Sequence, residues 1–144
     1  RRERVEERGE RIRVAVVGVR RHSVPGYMLE LADRMGVRYL TADRLSTADA
    51  SRFLGEVFSG VDWIYISFDS DVLDPHQCPG VNSPSPFGIT LREAVGLIEE
   101  ASKLGRVVGL DIVEYVPLLD VGDICGRNLA YIAYRALEVL ASRP

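Results

Sequence analysis

The chain has 144 residues, 47% hydrophobic and 27% charged, which is an ordinary balance for a globular protein and enough apolar material for a core. Eighteen Lys plus Arg against 21 Asp plus Glu leave a net charge of −3 with no evident basic face, which argues against a general nucleic-acid binder. No apolar run approaches the ~20 residues of a membrane span, and Cys78 and Cys125 lie far apart without metal-site spacing, so unpaired thiols in a reducing cytosol are expected.

Arg1 to Arg13 is a mixed-charge segment without an initiating Met, and it reads as the interior of something longer. Arg11 to Val19 is a strand candidate ending in Arg20-Arg21-His22-Ser23. Pro25 suits a first helical turn, after which Tyr27, Met28, Leu31, Ala32 and Met35 recur at helical spacing until Gly36. Val37 to Leu40 gives a second short strand. Ser46 or Thr47 caps the next helix, whose apolar face is Phe53, Leu54, Val57 and Phe58.

The third strand, Val61 to Ile66, runs into Ser67-Phe68-Asp69-Ser70-Asp71-Val72-Leu73-Asp74-Pro75, placing three carboxylates within six positions. If the chain stayed extended, Asp69 and Asp71 would project to the same side while Ser70 turned away. Two like charges so close repel, and a cation between them would relieve that. Oxygen-only ligands suit hard or borderline divalent ions such as Mn²⁺ or Mg²⁺, while a solvated, inert strand end is the bland alternative.

A connection from Asp69 to Ile89, long for a compact domain, leads to Thr90-Leu91-Arg92-Glu93, a capping box opening a helix that ends at Gly105. Arg106 to Asp111 is the fourth strand, and Asp123 is placed to cap a last helix with Leu129, Ile132, Ala133, Ala136, Leu137 and Leu140 on one side. Four strand-helix units predict an α/β fold over residues 1–144, read as a single domain: three layers, a mostly parallel sheet with helices on both faces. Ligands in such folds bind outside the strands' carboxyl ends. That edge would carry Asp69, Asp71, Asp74, Asp111 and Glu114, together with Arg20, Arg21 and His22.

The acidic block, followed by Pro79-Gly80, Pro84, Gly88-Ile89-Thr90 and Glu93, resembles the SFDxDxxDP…PG…P…GLT..E signature of the ureohydrolases: arginases, agmatinases and formiminoglutamases. Gly109-Leu110-Asp111-Ile112-Val113-Glu114-Tyr115-Val116-Pro117 resembles their second block, GxDxxExxP. The resemblance covers about residues 12–142 and implies the carboxyl-terminal portion, an incomplete half, of an arginase-like fold.

It further implies a hydrolase with two Mn²⁺ ions per complete site, cleaving a linear C–N bond of a small cationic guanidino or amidino substrate. Asp69 and Asp71 become metal ligands, Glu114 the substrate-binding residue, and Asp74 and Asp111 supporting residues behind the ligands. No catalytic acid or base is assigned in this portion. The family's GGDHS-like and DxHxD-like ligand blocks do not occur here, and His22 and His76 read as loop histidines and not ligands. Cys78 could reach a metal but reads as a small buried hydrophobe, and Tyr131 and Tyr134 read as core or interface residues. In the long loop, Val81 to Phe87 replaces the Gly- and Thr-rich stretch of agmatinase-like members. The implied partner is another copy or a chain carrying the amino-terminal half, covering the sheet edge beside the first strand. A non-catalytic interaction or regulatory subunit retaining the fold is the alternative reading.

Overall fold

The computed structural model describes residues 12–142, so most of the mixed-charge segment at Arg1–Arg13 lies outside the described residues. Among the described residues four strands and four α-helices alternate: β1 (Ala15–Val19), α1 (Gly26–Arg34), β2 (Arg38–Thr41), α2 (Thr47–Phe58), β3 (Trp63–Asp69), α3 (Leu91–Leu104), β4 (Arg106–Val113) and α4 (Ile124–Ala141). Local chemistry sets the helix ends. The Ser46 side chain accepts from the Asp49 amide, and Thr90 and Glu93 exchange both bonds of a capping box.

Every strand pairing is parallel, and each pair is closed by a helical crossover, as parallel neighbours require. The four strands do not share one ladder. β1 pairs with β2 and β3 with β4, and among the described residues no strand links β1 to β3. What joins the pairs is side-chain packing. α2 sets Phe53, Leu54 and Val57 against Ala15, Val17 and Leu40, while α3 and α4 bury Val95, Ile98, Leu129 and Ile132 with Phe68. Leu97 of α3 touches both clusters.

Among the described residues, helices cover only one face of the β3–β4 pair. Along β3 the residues alternate, with Ile64 and Phe68 buried and Trp63 and Tyr65 71% and 63% exposed. Trp63 and Tyr65 are the type of residue a sheet buries, so the open face has the composition of an interior. α1 is likewise open: Tyr27, Met28, Leu31 and Met35 fall on the predicted stripe, yet none is buried. No helix among the described residues is long and apolar enough to cross a membrane.

Two expectations are corrected. Cys78 and Cys125 are both fully buried and form a disulfide, so the thiols are not unpaired, and the inference of a reducing compartment loses that support. Their separation of 47 residues hides the pairing from spacing rules, because only the fold brings the long loop onto the first turn of α4. Asp123 precedes α4 with left-handed backbone but makes no cap. The cap comes from Asp120, whose two carboxylate oxygens accept from the amides of Cys125 (3.0 Å) and Gly126 (2.9 Å). Tyr131 and Tyr134, read as core or interface residues, lie at the surface and stack on each other, 6.5 Å between ring centres.

A disulfide closing a loop of this length removes unfolded-state entropy worth about 4 kcal/mol. Reductant, or Cys125→Ala, is therefore expected to lower the urea midpoint of the purified chain clearly. An unchanged midpoint would show the sulfurs to be unbonded in solution.

Candidate metal and substrate edge

The register of β3 on β4 builds the site. Asp69, the last residue of β3, lies opposite Val113, the last of β4, so Glu114 follows one step beyond the same edge. The alternation argument for Asp69 and Asp71 does not hold beyond Asp69, because Ser70–Val72 is a 3-10 turn and not extended chain. The two aspartates meet by another route: Asp69 Oδ1 accepts the Asp71 amide at 2.9 Å. Ser70 is fully buried, and its hydroxyl donates to the Val113 carbonyl at 2.7 Å, tying the turn to the end of β4.

Arg20, at the end of β1, reaches the same turn. One terminal nitrogen donates to the Asp71 carbonyl (2.5 Å) and the other to the Gly18 carbonyl (3.2 Å). The close approach depends on Gly18, where φ is +89° and a Cβ would stand 2.4 Å from Val72 Cγ2. The sequence reading places Arg20 on this edge but gives it no role there. Its only signal there is a cation immediately after a strand, which many exposed arginines share.

Burial, then the nearby charges of Asp69 and Glu114, hold the Asp71 carboxyl above its ordinary value, with Arg20 acting the other way. Its Oδ1 is buried without a hydrogen-bond partner. Glu114 is exposed and has left-handed backbone, φ +66°, a region costly for residues with a Cβ that recurs at functional sites.

Asp74 and Asp111 stand apart from this group. Asp74 Oδ1 accepts from the His76 amide (3.0 Å) and contacts the His76 ring (2.7 Å), and those bonds hold its pKa down. Asp111 pairs with Ser67, two residues inside the edge on the open face, where the Tyr65 hydroxyl donates to it at 2.9 Å. The Ser67 hydroxyl and then that of Tyr65 keep its pKa below the ordinary carboxylate value. His22 joins Ser85 across the edge, and the His76 side chain is almost wholly in solvent. Two clefts, of about 190 and 390 Å³, lie elsewhere, one beside Arg106 at the start of β4 and one beside Arg52 on α2.

Among the described residues no three His, Cys, Asp or Glu side chains are grouped to hold a metal ion. The edge therefore offers a carboxylate pair with one bare, buried oxygen, which fits part of a divalent-metal shell. With no metal present, a carboxyl whose folded pKa is raised destabilises the fold above its unfolded pKa, and the penalty fades as pH falls through the window beginning at the folded value and ending near 3.8. Asp71→Asn is thus expected to raise Tm at pH 7 in chelator, with the gain shrinking toward pH 4. A constant gain at every pH would show that ionised Asp71 carries no penalty from burial or like charge.

Comparison with known proteins gives the family and the fold of the chain. The profile of the Arginase family matches residues 3–138. A formimidoylglutamase of Nocardia farcinica is 31% identical over 127 residues, covering 88% of this chain and 41% of that protein. The proclavaminate amidinohydrolase of Streptomyces clavuligerus is 35% identical over 111 residues, 75% of this chain and 35% of the relative. Among solved structures, the formimidoylglutamase of Bacillus subtilis superposes with a TM-score of 0.81 at 28% identity, over 90% of this chain and 42% of that one. The chain spans about two fifths of the length of these relatives, and it belongs to the arginase family.

Proposed function

We propose that the chain supplies the carboxyl-terminal part of a two-manganese hydrolase that cleaves a linear C–N bond in a guanidino or formimino compound. The observation that carries this reading is the convergence of Asp69, Asp71 and Glu114 on one strand edge of an arginase-family chain. Asp69 and Asp71 would hold the metal through oxygen donors, which suit Mn²⁺. When bound, such a pair supplies water made acidic enough to attack at neutral pH.

The chain's own residues then orient and hold. Glu114 would take the flat amidinium cation through paired charge-assisted hydrogen bonds, from an exposed position one step beyond the end of β4. Arg20 grips the Asp71 carbonyl and so fixes the turn that presents the ligands. Asp74 would keep the loop's turn in place, and Asp111 would support the edge from behind. The remaining metal ligands would come from outside these 144 residues. So would the cover for the open β3–β4 face and the strand between β1 and β3, from the amino-terminal part of an arginase-type fold in the same polypeptide, in a partner chain or in another copy. The absence of a complete ligand group among the described residues also favours a second reading, a non-catalytic subunit that keeps the fold.

Calorimetric titration with Mn²⁺ is expected to show weak binding and no hydrolysis of arginine, agmatine or formimidoylglutamate by this chain alone. Both should be restored when an amino-terminal portion of the family is supplied. Tight binding of two ions by the chain alone would overturn the shared site, and restored metal binding without turnover would support the non-catalytic reading. In the completed protein, Glu114→Gln should weaken amidino-compound binding about tenfold or more, the scale of a lost charge-assisted bond, with metal content unchanged. Loss of metal would instead make Glu114 a ligand.

A further inference from the structure

We propose that Tyr115 is the positioning residue of Glu114: its ring sits in a slot between Gly80 and Gly126, the Cys78–Cys125 disulfide ties the two walls of that slot together, and the slot fixes where Glu114 stands on the edge. This rests on the proposed role of Glu114 in the hydrolase reading and deepens it by naming what holds that residue in place.

Glu114 is exposed and its φ of +66° lies in a region that costs free energy for a residue with a Cβ, so the turn persists only where its surroundings over-determine it. Those surroundings begin at the next residue. Tyr115 forms an antiparallel bridge with Val81, and the Val116 amide donates to the Gly80 carbonyl at 2.8 Å. The tyrosine hydroxyl donates to Asp120 Oδ2 at 3.0 Å, and the two Asp120 oxygens in turn accept from the Cys125 and Gly126 amides at 3.0 and 2.9 Å. The chain that leaves Glu114 is thus gripped by its backbone from the long loop and by its side chain from the start of α4.

Two glycines size the slot. A Cβ on Gly80 would stand 3.1 Å from Tyr115 Cε2 and 2.9 Å from Asp120 Cβ, and one on Gly126 would stand 2.7 Å from the Tyr115 hydroxyl oxygen. Neither glycine has left-handed backbone, so what each supplies is room and not a turn. Cys78 lies two residues before the first wall and Cys125 adjoins the second, both fully buried, so their bond sets how far apart the walls stand. Asn128 Nδ2 donates to the Gln77 carbonyl at 2.7 Å, a second tie between the same two segments. The aspartates are held by other means: Asp71 by Arg20 and by Asp69 Oδ1, and their turn by Ser70 on the end of β4. Loosening the slot therefore moves Glu114 and spares the metal end of the site.

The test pairs NMR of the isotopically labelled 144-residue chain with binding of arginine, agmatine and formimidoylglutamate to the completed protein. Tyr115→Phe, which removes only the hydroxyl, should weaken amidino-compound binding about fivefold, the scale of one lost hydrogen bond, with Mn²⁺ affinity unchanged. Gly126→Ala should weaken it at least as much, because the added Cβ displaces that hydroxyl, and should shift the Glu114 backbone resonances although the two residues are far apart in sequence. In the Tyr115→Phe background, where the oxygen is gone, the same Gly126→Ala change should cost less than about twofold more. Losses that simply multiply, Glu114 resonances that ignore Gly126→Ala, or Mn²⁺ affinity falling in step with amidino affinity would each overturn the slot. If Glu114→Gln weakens binding while both slot variants bind at full strength, the slot fails and the hydrolase reading stands. If the slot variants move Glu114 as expected but the completed protein binds no amidino compound, the slot is supported and the hydrolase reading fails.

Discussion

The parallel pairing of β3 with β4 is the constraint on which the rest depends. Because the strands run the same way and end in register at Asp69 and Val113, the carboxylates of two separate motifs leave the sheet at one edge. Parallel pairing needs a crossover, and the crossover here contains both the loop that carries Cys78 and Gly80 and the helix α3 that packs beneath the sheet. The chemistry and the core are thus consequences of the same connection.

Concentrating negative charge at that edge works against the fold, and the structure offsets it with neutral and cationic groups from elsewhere. Arg20 arrives from β1 and grips backbone, so its charge is held near Asp71 without a direct ion pair to the carboxylate. Ser70, buried under the turn, fixes β3 to β4 through Val113. One carboxylate oxygen of Asp71 is nevertheless left bare. A fold selected for stability alone has no reason to bury an acceptor unpaired.

The same economy of cover appears on the larger scale. One face of β3–β4 is packed by helices, and the other displays Trp63 and Tyr65 with Asp111 held between Tyr65 and Ser67. β1 and β3 each keep an edge that no described strand fills. Such edges and aromatic faces are costly in water and invite pairing, which agrees with a chain spanning about two fifths of its relatives.

By itself the sequence determined what depends on near neighbours. The capping box at Thr90 and Glu93, the cap at Ser46, the stop of α3 at Gly105 and the run from β3 into the acidic turn all follow from spacings of a few residues. The acidic block and Glu114 were legible too, as motifs, and with them the family. Tertiary structure alone decided the rest, because it depends on residues tens of positions apart. The Cys78–Cys125 bond, the grip of Arg20 on Asp71 and the His22–Ser85–Ser23 cluster span 47, 51 and about 60 positions, and no local propensity encodes such contacts. Asp120, and not Asp123, caps α4 for a related reason: backbone geometry, and not residue type, decides which carboxylate faces the free amides. The open faces came from neither composition nor periodicity, since an amphipathic pattern records which side of a strand wants burial and is silent on what, if anything, covers it.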